Sequence, residues 1–211
     1  MEHLLHLYAR PYNPSEPVVC FDECPVQLLG HVREPIPAKI GQPARHDYEY
    51  LRNGTSNVLV LVEPLAGWRD AEVSDRRTRV DFAQRMKYLV DHRYPEADVI
   101  HVVLDNLNTH TMGALYEAFP AADAFRIAEK LRFHLTPTHG SWLNMAEIEI
   151  SVLSRQCLAD RIPDTDALRS AVQPWQERRN HDRATISWRF TVDAARSKLH
   201  RLYPETTTCE R

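Results

Sequence analysis

The sequence predicts an α/β fold, in which a mixed β-sheet carries helices on both faces. The predicted elements follow one another as strand, hairpin, helix, strand, helix, strand, helix, an order typical of α/β domains. Two patterns support this prediction. Residues 100–104 form a continuous apolar run, which indicates a strand buried on both faces. Apolar residues then recur at helical spacing from Leu143 to Cys157, which indicates a long packed helix.

The first half of the chain is predicted to supply a short helix and three strands. Residues 4–8 form a helical remnant, and Pro11 prevents it from continuing. Residues 18–21 are rich in β-branched side chains and predict a short strand, and residues 57–74 predict a hairpin. Residues 31–46 contain several prolines and no periodic pattern, so we expect a long loop, and such loops are often functional.

The second half of the chain is predicted to be mainly helical. One helix begins near Thr78, whose hydroxyl suits an N-cap. Pro174 should kink a tail helix or start a new one. The predicted elements are helices at residues 80–90, 114–119, 124–131, 143–157, 166–179 and 192–202, together with a short strand at residues 133–135.

Composition indicates a globular domain without a disulfide framework. A chain of 211 residues with 43% hydrophobic content can form one domain with a substantial core. No apolar stretch is long enough to span a membrane or to form a secretory signal. Four scattered cysteines favour a reducing cytoplasm. Cys20 and Cys24 have the spacing of half a zinc site, but no second pair matches them, so zinc is not expected.

Three acidic residues stand at or near the ends of predicted elements. Asp22 and Asp105 each follow an apolar strand, and Glu147 opens the long helix. Each could simply end its element, but a buried carboxylate is costly without a positive partner. Carboxylate oxygens suit Mg²⁺ or Mn²⁺, and two such ions are a common arrangement for phosphodiester chemistry. Sites form beyond the carboxyl ends of strands, so the two aspartates should converge if their strands are neighbours.

Periodicity also assigns directions to the residues around these acids. Alternation along the strand turns Glu23 to the face opposite Asp22. On the long helix, Glu147 shares the predicted inward face with Leu143, and Glu149 falls on roughly the opposite face. We interpret Trp142 as a core anchor rather than as a platform on which a base stacks.

Three stretches of the chain together resemble a known family. They are residues 18–23 (VVCFDE), 103–110 (VLDNLNTH) and 137–147 (PTHGSWLNMAE), with weaker matches at residues 41–45 and 188–191. In this order they resemble the catalytic domain of bacterial insertion-sequence transposases of the mariner-like DDE superfamily. The resemblance implies an RNase H-like fold and DNA cleavage followed by strand transfer. It also implies two Mg²⁺ or Mn²⁺ ions bound by the three acids.

The resemblance has further implications for organisation and partners. We expect residues 1–16 to be a helical remnant or linker, 17–204 the catalytic domain and 205–211 a tail. Such transposases carry a helix-turn-helix region that reads the element's ends, and it has no room before the first strand, so we expect it on a separate segment. Transposon-end and target DNA, a homodimer and a cytoplasmic, nucleoid-associated location are also expected, with no membrane partner. Two alternatives stay open: an RNase H-like nuclease that does not join DNA, and an inactive relic that only binds DNA or a partner.

Several other polar residues are candidates for supporting roles. His110 could contact a DNA phosphate, orient water or support a metal ligand from behind. His139 could contact the scissile strand, and basic residues could bind phosphates. For each, a solvated or internally satisfied side chain is the alternative interpretation. The candidates are Asn106, His110, His139, Arg33, Lys39, Arg45, Arg76 and Arg77.

Overall fold

A five-stranded mixed sheet forms the centre of the molecule. The computed structural model describes residues 1–45 and 47–203. The strands lie in the order β3-β2-β1-β4-β5, with β1 antiparallel to β2, β2 antiparallel to β3, and β1, β4 and β5 parallel. The strands are β1 (Val18–His31), β2 (Tyr50–Glu63), β3 (Trp68–Ser74), β4 (Ile100–Leu104) and β5 (Leu131–Leu135).

Seven α-helices are present in the described ranges, and none of them is long and apolar enough to cross a membrane. A π-helical turn at Leu89–Arg93 extends α2, and short 3₁₀ turns occupy Ser141–Leu143 and His200–Leu202. The helices are α1 (Glu2–Tyr8), α2 (Arg79–Tyr88), α3 (Gly113–Ala118), α4 (Ala121–Lys130), α5 (Met145–Cys157), α6 (Thr165–His181) and α7 (Val192–Lys198).

The helices cover both faces of the sheet, as the sequence predicted. On one face, Phe21 of β1 packs in a cluster with Phe82 of α2 and Leu115 of α3. On the other face, Cys20 packs in a cluster that includes Leu4 of α1. Alternate residues of β1 therefore contribute to two different cores. Helix α1 is packed as part of the fold rather than standing apart as a linker.

Strand β1 is much longer than predicted, and this changes the position of Asp22. The predicted strand ended at Phe21, whereas β1 continues to His31. From Cys20 to His31 it pairs with β2, which begins at Tyr50, and Asp22 lies opposite Val60 inside this ribbon. The residues after Asp22 include Glu23, Pro25 and Gly30, which interrupt the apolar pattern, and pairing with β2 holds them in the strand. Asp22 is therefore inside a strand and not at its carboxyl end.

The orientation predicted for α5 is wrong. Glu149 was expected to face outward, but its side chain is fully buried, whereas Glu147 is exposed. Arg69 of β3 and Arg179 of α6 both donate to Glu149, at 3.0 Å and 2.5 Å from their Nε atoms. The error arises because these partners are distant in sequence, and because two charged neighbours make burial of a carboxylate tolerable. We call Arg69, Glu149 and Arg179 the buried ion cluster.

The other predicted elements occur close to their expected positions. Thr78 caps α2 in a capping box with Asp81. Helix α6 runs through Pro174, so the new helix that this proline was expected to start does not form. The predicted tail helix is split into α7 and a 3₁₀ turn. The predicted tail at residues 205–211 and the predicted domain end at residue 204 lie outside the described residues.

Candidate active site

The three predicted acids lie on three elements that meet at one place. Strands β1 and β4 are parallel neighbours with Cys20 opposite Val103, so Asp22 and Asp105 follow side by side in the same register. Glu147 lies in the first turn of α5, which packs against β1 and β2. The negative charges of Glu147 and Asp105 both act on Asp22. The structure thus brings the predicted acids into one neighbourhood.

Asn144 connects the strand and the helix that carry two of these acids. Its side-chain oxygen accepts from the backbone N–H of Ala146 and caps α5. Its side-chain amide donates to the carbonyl of Phe21 at 2.8 Å, and it lies 3.4 Å from Asp22 Oδ2. Asn144 therefore fixes where α5 begins relative to Asp22. Asn144 was not among the predicted site residues, although an asparagine directly before a helical pattern is a recognisable N-cap signal.

Asp22 is a mostly buried carboxylate without a cationic partner among its contacts in the described part of the chain. Burial, assisted by the charges of Glu147, Asp105 and Glu23, raises its pKa to about 7 against one opposing hydrogen bond. That hydrogen bond comes from the Glu23 backbone N–H, 2.8 Å from Asp22 Oδ1. Ionisation of Asp22 near neutral pH therefore works against both desolvation and like charge. A bound cation would relieve both effects.

Asp105 has the opposite surroundings because His110 neutralises it. The His110 ring donates from Nδ1 to Asp105 at 2.6 Å and from Nε2 to Glu23 at 2.9 Å, and its side chain is fully buried between Phe21 and Phe82. Burial disfavours the charge of His110, but the two carboxylates outweigh it and raise its pKa to about 9. Burial likewise opposes ionisation of Asp105, yet the hydrogen bonds and charges of its neighbours hold its pKa below the usual value.

Two predictions about these residues need revision. His110 cannot contact a DNA phosphate from this position, because its ring is enclosed by protein. Glu23 does face away from Asp22, as predicted, but that face is where His110 lies, so Glu23 supports Asp105 through the histidine. This support of Asp105 by Glu23 could not be predicted from the sequence, because Glu23 and His110 are 87 residues apart. We call Glu23, His110 and Asp105 the relay.

The remaining candidates are divided between the site and the periphery. Asn106 donates to the Thr136 carbonyl at 2.5 Å and ties the end of β4 to the end of β5. His139 is exposed and adopts a left-handed backbone with φ 59°. Arg77 is close enough for its charge to help lower the pKa of Asp105. Arg76 is exposed beside it on the segment before α2.

The loop candidates lie at the end of the β1–β2 ribbon. Arg33, Lys39 and Arg45 are exposed on the loop between β1 and β2, where two isolated bridges form a small hairpin. Arg33 lies 3.7 Å from Asp47, whose side chain is only 10% exposed. Within the described residues, no hydrogen bond or ion pair joins these three cations to the three acids. They are exposed cations beyond the site rather than part of it.

The acids form an open arrangement rather than a closed metal cage. Across residues 1–45 and 47–203, no group of three or more His, Cys, Asp or Glu side chains is arranged to hold a metal ion. The donor set nevertheless fits a hard divalent cation, because carboxylate oxygens are the ligands that Mg²⁺ prefers. Asp22 lies among the negative charges of Glu147, Asp105 and Glu23, and His110 pairs with only the last two. Burial raises the pKa of the Cys20 thiol to about 11, which does not suit a zinc ligand.

Comparison with solved structures supports the fold that the resemblance implied. The chain is similar to the Mos1 transposase paired-end complex with left transposon end (17% identity, TM-score 0.55) and to a Mos1 mariner paired-end complex with Mn (16%, 0.54), covering 87% of this chain and 56% of each of theirs. A pre-cleavage Mos1 transpososome is similar at 15% identity and a TM-score of 0.54, over 87% of this chain and 59% of that one. The chain thus spans less than two thirds of the length of these relatives.

The sheet order and flanking helices confirm the predicted RNase H-like fold. A search of curated proteins found no significant match. Residues 17–169 match the family described as DDE superfamily endonuclease, which is most of the chain and includes all three acids. The chain therefore belongs to the DDE superfamily of endonucleases.

Proposed function

We propose that this chain is the catalytic domain of a transposase, which cuts DNA at the ends of a mobile element and joins the freed end to a target. The observation that carries the proposal is the position of Asp22. In a DDE endonuclease chain it is largely buried beside Asp105 and Glu147, and none of its contacts among residues 1–45 and 47–203 is a cation. The Mos1 structures, described as a paired-end complex and a pre-cleavage transpososome, favour transposition among the activities open to such a site.

The three acids are proposed to hold two Mg²⁺ or Mn²⁺ ions. Asp22, Asp105 and Glu147 would supply carboxylate oxygens to these ions. When bound, such ions activate the attacking water or DNA 3′-hydroxyl and stabilise the leaving oxygen. The support comes from the hard oxygen ligands and from the raised pKa of Asp22. That one of the Mos1 complexes contains Mn agrees with this assignment.

The chain's own residues hold these carboxylates in place. His110 and Glu23 fix the carboxylate of Asp105 from the side away from the open site. Asn144 sets the start of α5 against β1, and the buried ion cluster fixes the rotation of that helix. Glu147 is left exposed in the first turn of α5, where it can reach a bound ion and a phosphate. Rigid supports of this kind are what a preorganised phosphoryl-transfer site requires.

DNA is the proposed partner, and several exposed cations are placed to bind its phosphates. Arg77 is beside the site, and Arg76 precedes it in the sequence. Arg33, Lys39 and Arg45 lie on the loop at the end of the β1–β2 ribbon. A homodimer and a separate helix-turn-helix segment are proposed because transposition acts on two ends that must be recognised. An origin in a bacterial insertion sequence, and a cytoplasmic location near the nucleoid, remain predictions based on the three sequence motifs.

The proposal is tested with Mn²⁺-dependent cleavage of supercoiled plasmid DNA by the wild type and by Glu147→Gln. A thousand-fold loss of rate in the variant is expected, which corresponds to about 4 kcal/mol of transition-state stabilisation. Glu129→Gln is the matched control, because Glu129 is an exposed helical glutamate on the opposite face of the sheet. It should cleave like the wild type. Equal rates for Glu147→Gln and the wild type would contradict the proposal.

Joining is measured in the same reaction with a labelled oligonucleotide that ends in a free 3′-hydroxyl. A transposase is expected to attach this end covalently to the plasmid, and Glu147→Gln should lose joining together with cleavage. Cleavage without joining would favour the nuclease alternative. A folded wild-type protein that performs neither reaction would favour the relic.

A further inference from the structure

Trp142 is unexpectedly exposed for a large aromatic side chain. It lies on the 3₁₀ turn before α5, and 45% of the residue is accessible to solvent. The prediction that it anchors the core is therefore wrong. Tryptophan is usually well buried, because moving its large apolar ring out of water is favourable. Because the turn that carries this ring leads into α5, the ring is a candidate contact for a ligand bound at the active site.

The ring is held in a fixed position by other aromatic side chains. Trp188 lies nearly parallel to it, with centroids 6.3 Å apart and an interplanar angle of 17°. Phe190 meets it edge-on at 5.6 Å. Trp188 is itself anchored, because its Nε1–H donates to the Phe190 carbonyl at 2.8 Å and its ring contacts Tyr8 at 5.2 Å. These contacts leave 45% of the residue accessible to solvent, so part of the Trp142 ring remains open.

Trp142 is also separated by only a few residues from Asn144 and Glu147. It is two residues before Asn144, which contacts Asp22, so its backbone is within about 7 Å of that contact residue. Glu147 follows one turn later in α5. Exposed side chains that can carry positive charge, His139 and Arg189, adjoin Trp142 and its aromatic support in sequence. Aromatic rings combined with cations are typical of surfaces that bind single-stranded nucleic acid.

We propose that the open part of the Trp142 ring stacks on an unpaired nucleobase next to the phosphate held at the three carboxylates. This inference rests on the proposed function, because a DNA phosphate at the acids places the adjoining bases near the ring. The occupant is an unpaired base and not intact duplex, because the faces of paired bases are already covered by their neighbours. Stacking on a tryptophan tolerates every base, so the ring would position DNA without reading its sequence.

The experiment measures 2-aminopurine fluorescence in short single-stranded oligonucleotides, with the probe moved one position at a time. The protein carries Glu147→Gln so that the DNA stays intact, and Mg²⁺ is present. Quenching is expected at one or two neighbouring positions. Adding Trp142→Leu should abolish it, because leucine can still pack on Trp188 but cannot stack on a base. Trp142→Phe should retain it. Thermal melts establish that each variant is folded.

Phe125→Ala is the matched control, because Phe125 is 56% exposed on α4, on the opposite face of the sheet. Quenching that survives Trp142→Leu, or that is equally weakened by Phe125→Ala, would overturn the proposal. Quenching by duplex DNA as strong as by single strands would overturn the choice of an unpaired base.

A cleavage assay separates this inference from the proposed function. An abasic site at the quenched position should slow cleavage by wild type by about fivefold to 160-fold, the range that 1–3 kcal/mol of stacking represents. It should add no further loss to Trp142→Leu. Equal slowing of both proteins would overturn the stacking inference while leaving the cleavage activity established. If the wild type does not cleave DNA but the quenching by Trp142 is observed, the proposed function is contradicted and the stacking is supported.

Discussion

Two groups of buried or partly buried acids in this protein have opposite electrostatic surroundings. In the buried ion cluster, Glu149 accepts hydrogen bonds from two arginines and needs nothing further. At the candidate active site, the acid Asp22 is surrounded by other carboxylates and its pKa is raised to about 7. Burial alone therefore does not distinguish a structural acid from a catalytic one. Glu149 and Asp22 differ because Glu149 has arginines among its described contacts and Asp22 does not, and Asp105, which pairs with His110, is the intermediate case.

The first prediction concerns Glu149 in the buried ion cluster, and its effect should be the largest of the four. Glu149→Gln leaves Arg69 fully buried without its counter-charge, which should destabilise the fold by about 3–5 kcal/mol. For a domain of this size, the melting temperature should fall by at least about 6 °C. Glu147→Gln, two residues away but exposed, should change it little. Equal melting temperatures for the two variants would show that the buried ion cluster does not stabilise the fold.

The second prediction concerns Asp22 in the metal-free protein. Its folded pKa of about 7 lies above the ordinary value of 3.8, so the folded state binds the proton more tightly than the unfolded state. Stability contributed by this proton is complete below about pH 4 and is lost as pH rises to about 7. Asp22→Asn should therefore stabilise the protein above pH 7 by at most about 4 kcal/mol, and should have no such effect below pH 4.

Thermal melts of wild type and Asp22→Asn at pH 4 and pH 8, with chelator present, measure this difference. Adding Mg²⁺ at pH 8 should then raise the melting temperature of wild type and not that of the variant. A variant less stable than wild type at pH 8 without metal would mean that Asp22 is already balanced by the protein.

These two predictions also show what the sequence could reveal. The apolar run of β4, the N-cap at Thr78 and the three acids were recognisable, because each depends on neighbouring residues. The buried state of Glu149 was not, because Arg69 is 80 residues away and a local helical pattern cannot show a distant partner. The length of β1 was missed for a similar reason, since Pro25 and Gly30 interrupt its second half and pairing with β2 holds that half in the strand.

The third prediction tests the relay, in which Asp105 is balanced by a histidine. His110→Gln removes the charged ring between Asp105 and Glu23, so Asp105 should lose its fixed orientation. A metal ligand that loses such support typically binds metal about 10- to 100-fold more weakly. The Mn²⁺ concentration for half-maximal cleavage should rise accordingly, while the rate at saturating Mn²⁺ falls less. An unchanged Mn²⁺ requirement in a folded variant would remove His110 from the account.

The fourth and smallest prediction concerns Arg77, an exposed arginine whose charge helps to lower the pKa of Asp105. If it binds one phosphate, Arg77→Ala should lower the slope of log affinity against log salt by about one. Fluorescence anisotropy with a short duplex measures this slope. Arg169→Ala is the control, because Arg169 is exposed on α6 and pairs with Asp166. A similar change in both variants would indicate a general charge effect.

The central claim is that Asp22, Asp105 and Glu147 bind divalent metal ions together. Anomalous scattering from a crystal grown with Mn²⁺ tests this most directly, because it locates the ions. The account predicts Mn²⁺ peaks within about 2.0–2.6 Å of oxygens from all three carboxylates. An ordered site with no Mn²⁺ peak at saturating concentration, or with Mn²⁺ bound elsewhere and these carboxylates empty, would contradict it.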